Sequence, residues 1–322
     1  MENDAERIIW AVWLMLMSLV SFFGDTTILI ASIKYRAFKL NKVIVIFIEH
    51  IAVCDLFMSF FSILTQSISL LAKGWIFGAL FCEIEVYINF HNVTASRLLV
   101  CGMTVCKLWM LKCPLRAKFL TRKHAHTACL TLWVLAGCVP GVFLIVDKDD
   151  IAISKNQYTC SFQSSSQIWK KLRPVVTSLF VAVPLTIVIV SSLLLVKHLL
   201  HAGRMARRIR SKVPRQGIVT VVLTSVIYCI SFFPKAVHET IRPYVNNAVY
   251  KETAPRVVET ATYLNVVANF FLYSLTVSSF RNFLKTKMGL ARELNGETTG
   301  KGKTTTSDEN QATSEVTQQT LA

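Results

Sequence analysis

Two carboxylates inside apolar runs are the residues of this sequence best placed to do chemistry. Asp55 stands within IAVCDLF, and Asp25 within SFFGDTTIL. An acid in a run apolar enough to cross a bilayer is expensive to desolvate and is a functional candidate by default. Glu49 and His50 lie close by in sequence, so a proton path is one chemistry open to the set. A third group sits in CEIEVYINFHNVTASRLLVCGMTVCKLWMLKCPL, residues 82–115. There Asn89, His91, Asn92, Ser96 and Arg97 lie in or just before the first half of a long apolar run. Polar groups at membrane depth face a bundle interior or a wet cavity, not lipid. That stretch is therefore expected to be a central helix wrapped by others.

The elements that must position these groups are apolar segments. The chain has 322 residues, 53% of them hydrophobic and only 17% charged. A soluble domain carries about a quarter charged residues. Seven segments read as spans: 8–33, 43–71, 85–111, 127–146, 175–200, 218–233 with a polar continuation, and 257–277. Each should be helical, because backbone polar groups find no water in the bilayer core. The fold class expected is all-α, a seven-helix membrane bundle over residues 8–278.

A net charge of +16 raises the prospect of nucleic acid, but the basic residues lie between the apolar runs. Lys34, Arg36, Lys39 and Lys42 follow the first span, and five more basic residues fall in 112–123. Another six fall in 204–215 and four in 281–292. The alternate connectors are poorer in Lys and Arg or offset by acids. Excess Lys and Arg marks the cytoplasmic face, so residues 1–7 are expected outside as a short N-terminal end and the C-terminus inside. No nucleic-acid partner is expected.

After the last span, residues 279–294 mix basic residues with Phe280, Phe283, Leu284, Met288 and Leu290 at helical spacing. This suits an amphipathic helix on anionic membrane lipids. Residues 295–322 are Thr, Ser, Gly, Gln and Glu with little apolar content, and are expected to be a disordered cytoplasmic tail. Hydroxyls at 304–307 beside Asp308 and Glu309 could serve kinases. Of nine cysteines, only Cys82 and Cys160 fall at the expected outer surface, where two thiols can pair. No cysteine–histidine cluster has zinc spacing, and no nucleophile–base motif is present, so enzyme chemistry has no support.

These landmarks together resemble a rhodopsin-like (class A) G-protein-coupled receptor, in divergent form. Gly24-Asp25 stands for the family's Gly-Asn, and IAVCDLF for Leu-Ala-x-x-Asp-Leu. Trp75 with Phe77-Gly78 matches the Trp-x-Phe-Gly turn. Cys106-Lys107-Leu108 is in register with Asp-Arg-Tyr, and Pro114-Leu115 with its later Pro-Leu. Trp133, Pro184 and Phe232-Phe233-Pro234 mark the fourth, fifth and sixth spans. Asn269-Phe270-Phe271-Leu272-Tyr273 stands for Asn-Pro-x-x-Tyr.

The resemblance implies a plasma-membrane receptor that passes an extracellular signal to a heterotrimeric G protein by population shift. It implies a Cys82–Cys160 disulfide and a polar network of Asp25, Asp55, Ser96, Asn265 and Asn269 that holds a sodium ion in many relatives. No other cofactor is implied. The implied ligand pocket takes in Asn89, Phe90, Val93, Phe232, Phe233 and Tyr263. Lys107, Pro234 and Tyr273 fall at activation and G-protein positions. Arrestin and receptor kinases are implied at the tail. Asn89 replaces the Asp of amine receptors, which disfavours a biogenic amine, and Tyr263 replaces the retinal-binding Lys of opsins, which excludes a retinal Schiff base. A small molecule or a peptide remains as ligand.

Departures weigh on coupling. Cys106 replaces the acid that pairs with the cytoplasmic Arg, and Lys107 lacks the planar fork of that Arg. An arrestin-biased or non-coupling decoy receptor is therefore a second reading. A small transporter or proton channel using Asp25, Asp55, Glu49 and His50 is a third. The single outer cysteine pair and the lack of inverted repeats weigh against it.

Overall fold

The computed structural model describes residues 4–146, 151–153, 160–162, 175, 178–209, 216–241 and 248–287. Seven long helices are present among them: α1 (Asp4–Lys34), α2 (Lys42–Leu71), α3 (Gly78–Lys112), α4 (Arg122–Val146), α5 (Val183–Ile209), α6 (Gln216–Ile241) and α7 (Ala248–Thr276). A shorter helix, α8 (Ser278–Lys287), follows directly. Of the described helices, α1, α2, α3, α5 and α6 are long and apolar enough to cross a membrane. α4 and α7 run 25 and 29 residues, a length that also spans.

Local chemistry sets the ends. The Asn41 side chain accepts from the Val43 N–H at 2.9 Å and caps α2. Before α3, the Trp75 indole donates to the Gly78 carbonyl at 2.8 Å, and Gly78 takes φ +82°, a conformation open to glycine. Pro114 cannot continue α3 and instead opens a single helical turn, Pro114–Ala117. Stretches of i→i+5 bonding close α1 at Ile30–Lys34, interrupt α2 at Ser59–Leu64 and lead into α5 at Ser178–Ala182.

α3 packs against α2, α4, α5 and α6, the central place expected of it. α1 lies against α2 and α7, and α6 lies between α5 and α7. At one end of α3, strands β1 (Ile151–Ile153) and β2 (Cys160–Phe162) pair antiparallel, a small addition to the all-helical expectation. The chain divides into two compact units, Met1–Arg281 and Asn282–Ala322, and the bundle belongs wholly to the first. The expected end of the amphipathic helix, 288–294, and the tail, 295–322, lie outside the described residues.

The bundle is apolar outside as well as inside. Phe23, Ile33, Val134, Leu193, Ile230 and Leu275 stand exposed around it, while Leu14, Ile48, Leu99 and Met103 fill its core. An apolar exterior of this extent is stable only against lipid. Polar side chains are turned inward instead: Asp25, Asp55, Gln66, Glu85, Ser96, Arg97, Asn265 and Asn269 are all buried.

Helix ends differ from the apolar runs. α3 begins seven residues before the expected start at 85, and α7 begins nine before 257. α1 begins at Asp4, inside the stretch expected as a free end. Hydropathy marks where the lipid is, whereas i→i+4 hydrogen bonding carries a helix on past it. At the start of α1, buried Arg7 donates to the Leu70 carbonyl of α2. Asp4 bridges Arg7 and Lys73, each at 3.1 Å.

Candidate functional site

The buried polar groups form layers along the bundle. At one end, a disulfide joins Cys82 to Cys160 and ties α3 to β2, with Trp75 packed against it. Just below it lies a layer that the residue-by-residue reading missed. Gln66 of α2 donates to the Glu259 carboxylate of α7 at 2.9 Å and accepts from the Tyr263 hydroxyl at 3.0 Å. Glu85 of α3 lies within Coulombic reach of Glu259, and both act on Tyr263. Glu85 is 2% exposed, and its Oε2 has no hydrogen-bond partner. Both glutamates fall at the margins of the expected spans 85–111 and 257–277. The rule that singles out Asp55 would have found them once the helices were known to extend further.

Of the expected pocket residues, Val93, Phe232 and Tyr263 are buried in the bundle, and Asn89 and Phe90 are half-buried. Phe233 does not join them. It is 60% exposed on the outer face of α6, because consecutive helical residues point about 100° apart and Phe232 takes the inward direction. Arg97 enters instead: its guanidinium stands 4.8 Å from the Phe232 ring centre, and Tyr228 packs 4.8 Å from the same ring.

Halfway along the bundle, Asn269 of α7 donates to Asp55 Oδ2 of α2 at 2.6 Å. Ser21 donates to Asp25 Oδ2 at 2.8 Å, and the Ser59 hydroxyl stands 2.6 Å from Ser21 and 2.8 Å from the Asp55 carbonyl. Asp25 and Asp55 are close enough for their charges to repel. Asp25 Oδ1, Asp55 Oδ1 and Ser96 Oγ have no hydrogen-bond partner. Asn265 is buried one turn before Asn269 on α7. The structure thus places Asp25 and Asp55 together, with Asn269 on the latter. Glu49 and His50 are engaged elsewhere, with Ser32 and His126.

At the end rich in Lys and Arg, a Cβ on Gly217 of α6 would stand 3.3 Å from Lys107 Nζ, so Gly217 leaves room for that ammonium. No ion pair involves Lys107 among the described residues. Gln216 donates to the Thr276 carbonyl at 3.0 Å, and Thr220 to the Thr276 hydroxyl at 3.2 Å, clipping α6 to α7. Pro234 lies inside α6, and Tyr273 is buried edge-on to Phe38 at 6.0 Å.

A bundle of seven helices with a lipid-ready exterior, a disulfide at its end and layered polar groups inside defines a multi-pass membrane protein. The chain belongs to the 7 transmembrane receptor (rhodopsin family), whose model matches residues 24–273. It is similar to the D(1A) dopamine receptor of Didelphis virginiana, 30% identical over 131 residues, which is 40% of this chain and 29% of that one. It is also similar to the D(1B) dopamine receptor of Xenopus laevis, 29% identical over 136 residues (42% and 29%). Dopamine receptor 1 of Drosophila melanogaster is 28% identical over 133 residues (41% and 26%). The matched stretches span under a third of the length of these relatives.

Proposed function

We propose that this chain is a plasma-membrane G-protein-coupled receptor with its disulfide end outside and its Lys- and Arg-rich end in the cytosol. A ligand enters among α2, α3, α6 and α7 and favours an arrangement that opens the cytosolic end to a heterotrimeric G protein. The observation that carries this reading is the clip of Gln216 and Thr220 on Thr276, beside Lys107 at Gly217. A few hydrogen bonds, each about 1 kcal/mol net, hold α6 closed there, which a ligand's differential affinity can overcome. Arrestin and receptor kinases act on the tail.

The oxygen set of the middle layer suits a hard cation. Asp25 Oδ1, Asp55 Oδ1 and Ser96 Oγ are the partnerless oxygens available to it, which fits a sodium ion held by these residues with Asn265 and Asn269. Such an ion would supply positive charge that offsets the two carboxylates. Dopamine, the ligand in the relatives' names, is not carried over through Asn89, which has no charge to offer an ammonium.

The test is a ligand screen in cells, read in parallel as cyclic AMP, calcium and arrestin recruitment. Ligands that move cyclic AMP or calcium support the reading. Arrestin recruitment without either second messenger favours the arrestin-biased receptor, which the loss of the Arg fork at Lys107 supports. Ligand-independent ion flux in liposomes would favour a transporter and overturn both.

A further inference from the structure

Glu85 is the group in the bundle whose setting is least explained by folding. It is a carboxylate at 2% exposure, one turn along α3 from the Cys82–Cys160 bridge, with Oε2 lacking any hydrogen-bond partner. Asn89, a further turn along, approaches it, and the charge facing it from α7 is that of Glu259, a second acid. Glu259 is better provided for: Gln66 donates to it, and Lys235 and Arg256 act on it. Among the described residues Glu85 forms no ion pair. A carboxylate ionised there, facing a second acid and without a positive partner among the described residues, is costly, and a cation brought in by a ligand would remove that cost.

We infer that Glu85 is the counter-charge for an organic cation, an ammonium or guanidinium group, on the ligand proposed to enter among α2, α3, α6 and α7. The inference rests on the receptor reading for the pocket's location and deepens it by naming the ligand's chemistry. The surroundings suit such a head group. Gln66 and Tyr263 form a hydrogen-bonded chain that keeps Glu259 in place, so the layer is built before the ligand arrives. Further in, Phe232 and Val93 are buried on α6 and α3, apolar surfaces for an aryl or alkyl body. The Arg97 guanidinium over Phe232 bars a second positive charge from that depth. The ligand is therefore cationic at its outer end and uncharged at its inner end. The charge that Asn89 lacks comes from one helical turn nearer the bridge.

The test uses the full chain, purified in lipid nanodiscs, and matched probes that differ in charge. Phenethylamine and phenethylguanidine are compared with 2-phenylethanol by thermal shift and by equilibrium binding. The expected result is stabilisation by the two cations and none by the alcohol. Glu85→Gln, close to isosteric, should weaken cation binding by about tenfold or more. The Glu85→Gln/Asn89→Asp double variant, which moves the charge one turn inward, should restore it and controls for misfolding. Equal effects of amine and alcohol, no binding by either cation, or cation binding unchanged in Glu85→Gln would each overturn the inference. The cellular screen fails separately: cation binding without any second-messenger response sinks the coupling proposal and leaves this one standing. Second-messenger agonists that all lack a positive charge do the reverse.

Discussion

Phe270 fills the space that Gly24 leaves open: a Cβ on residue 24 would stand 2.8 Å from the Phe270 Cβ and 3.0 Å from its Cγ. Phe270 stands where the Asn-Pro-x-x-Tyr motif has Pro, and its bulky ring meets α1. Phe270 also meets Phe280 at 6.3 Å, and Phe280 stacks on Phe38 at 4.8 Å. One aromatic cluster therefore joins α7 to the segment between α1 and α2.

Gly24→Ala should destabilise the purified chain by about 1–3 kcal/mol through overpacking. Thermal unfolding in detergent reads it. Adding Phe270→Ala should recover part of the loss, since the two residues touch and their effects are coupled. Strictly additive losses would mean that α1 and α7 are not in contact there.

Asp25→Asn removes one of the two interacting carboxylates of the middle layer. Sodium chloride should raise the melting temperature of the wild-type chain above its value in N-methylglucamine chloride. The variant should show a smaller rise. Identical sodium shifts in both proteins would make Asp25 a tolerated substitution and no part of a cation site.

Asn269→Leu strips the donor from Asp55 Oδ2, whose neighbour Oδ1 already lacks one. A buried acceptor left unmade costs about 1–3 kcal/mol. The loss should appear as a lower melting temperature, while Asp55→Asn in the same background should recover some of it. Failure of that second change to help would place the cost of Asn269→Leu in shape, not in the stranded carboxylate.

Gln216→Ala with Thr220→Val breaks the clip between α6 and α7. Each hydrogen bond contributes about 1 kcal/mol, so ligand-free signalling should rise several-fold at equal surface expression. Basal output that stays at the wild-type level would show that other contacts hold α6.

Lys107→Arg restores a planar fork at a position with no described ion pair. Basal or stimulated output should change, because the longer guanidinium must find new acceptors beside Gly217. Output unchanged on both measures would leave Lys107 without a part in holding or coupling the Lys- and Arg-rich end.

Seven spans, the central place of α3 and the pairing of Cys82 with Cys160 were legible in the amino-acid sequence. Those features follow from the cost of placing polar backbone and charged side chains in hydrocarbon, which depends on residue type along the chain. Asp55 was legible for the same reason, as an acid where none is affordable. Glu85, Glu259 and Gln66 were not. Each sits near the margin of an apolar run, where a polar residue is ordinary, and only the packing of α2, α3 and α7 turns all three inward to one place. Phe232 and Phe233 look alike as neighbours in sequence, yet the rotation of α6 sends one into the bundle and the other out to lipid. Hydropathy is a sum over residues and can be read one at a time; which groups meet depends on helix rotation and depth, and those are decided by side chains far apart in the chain.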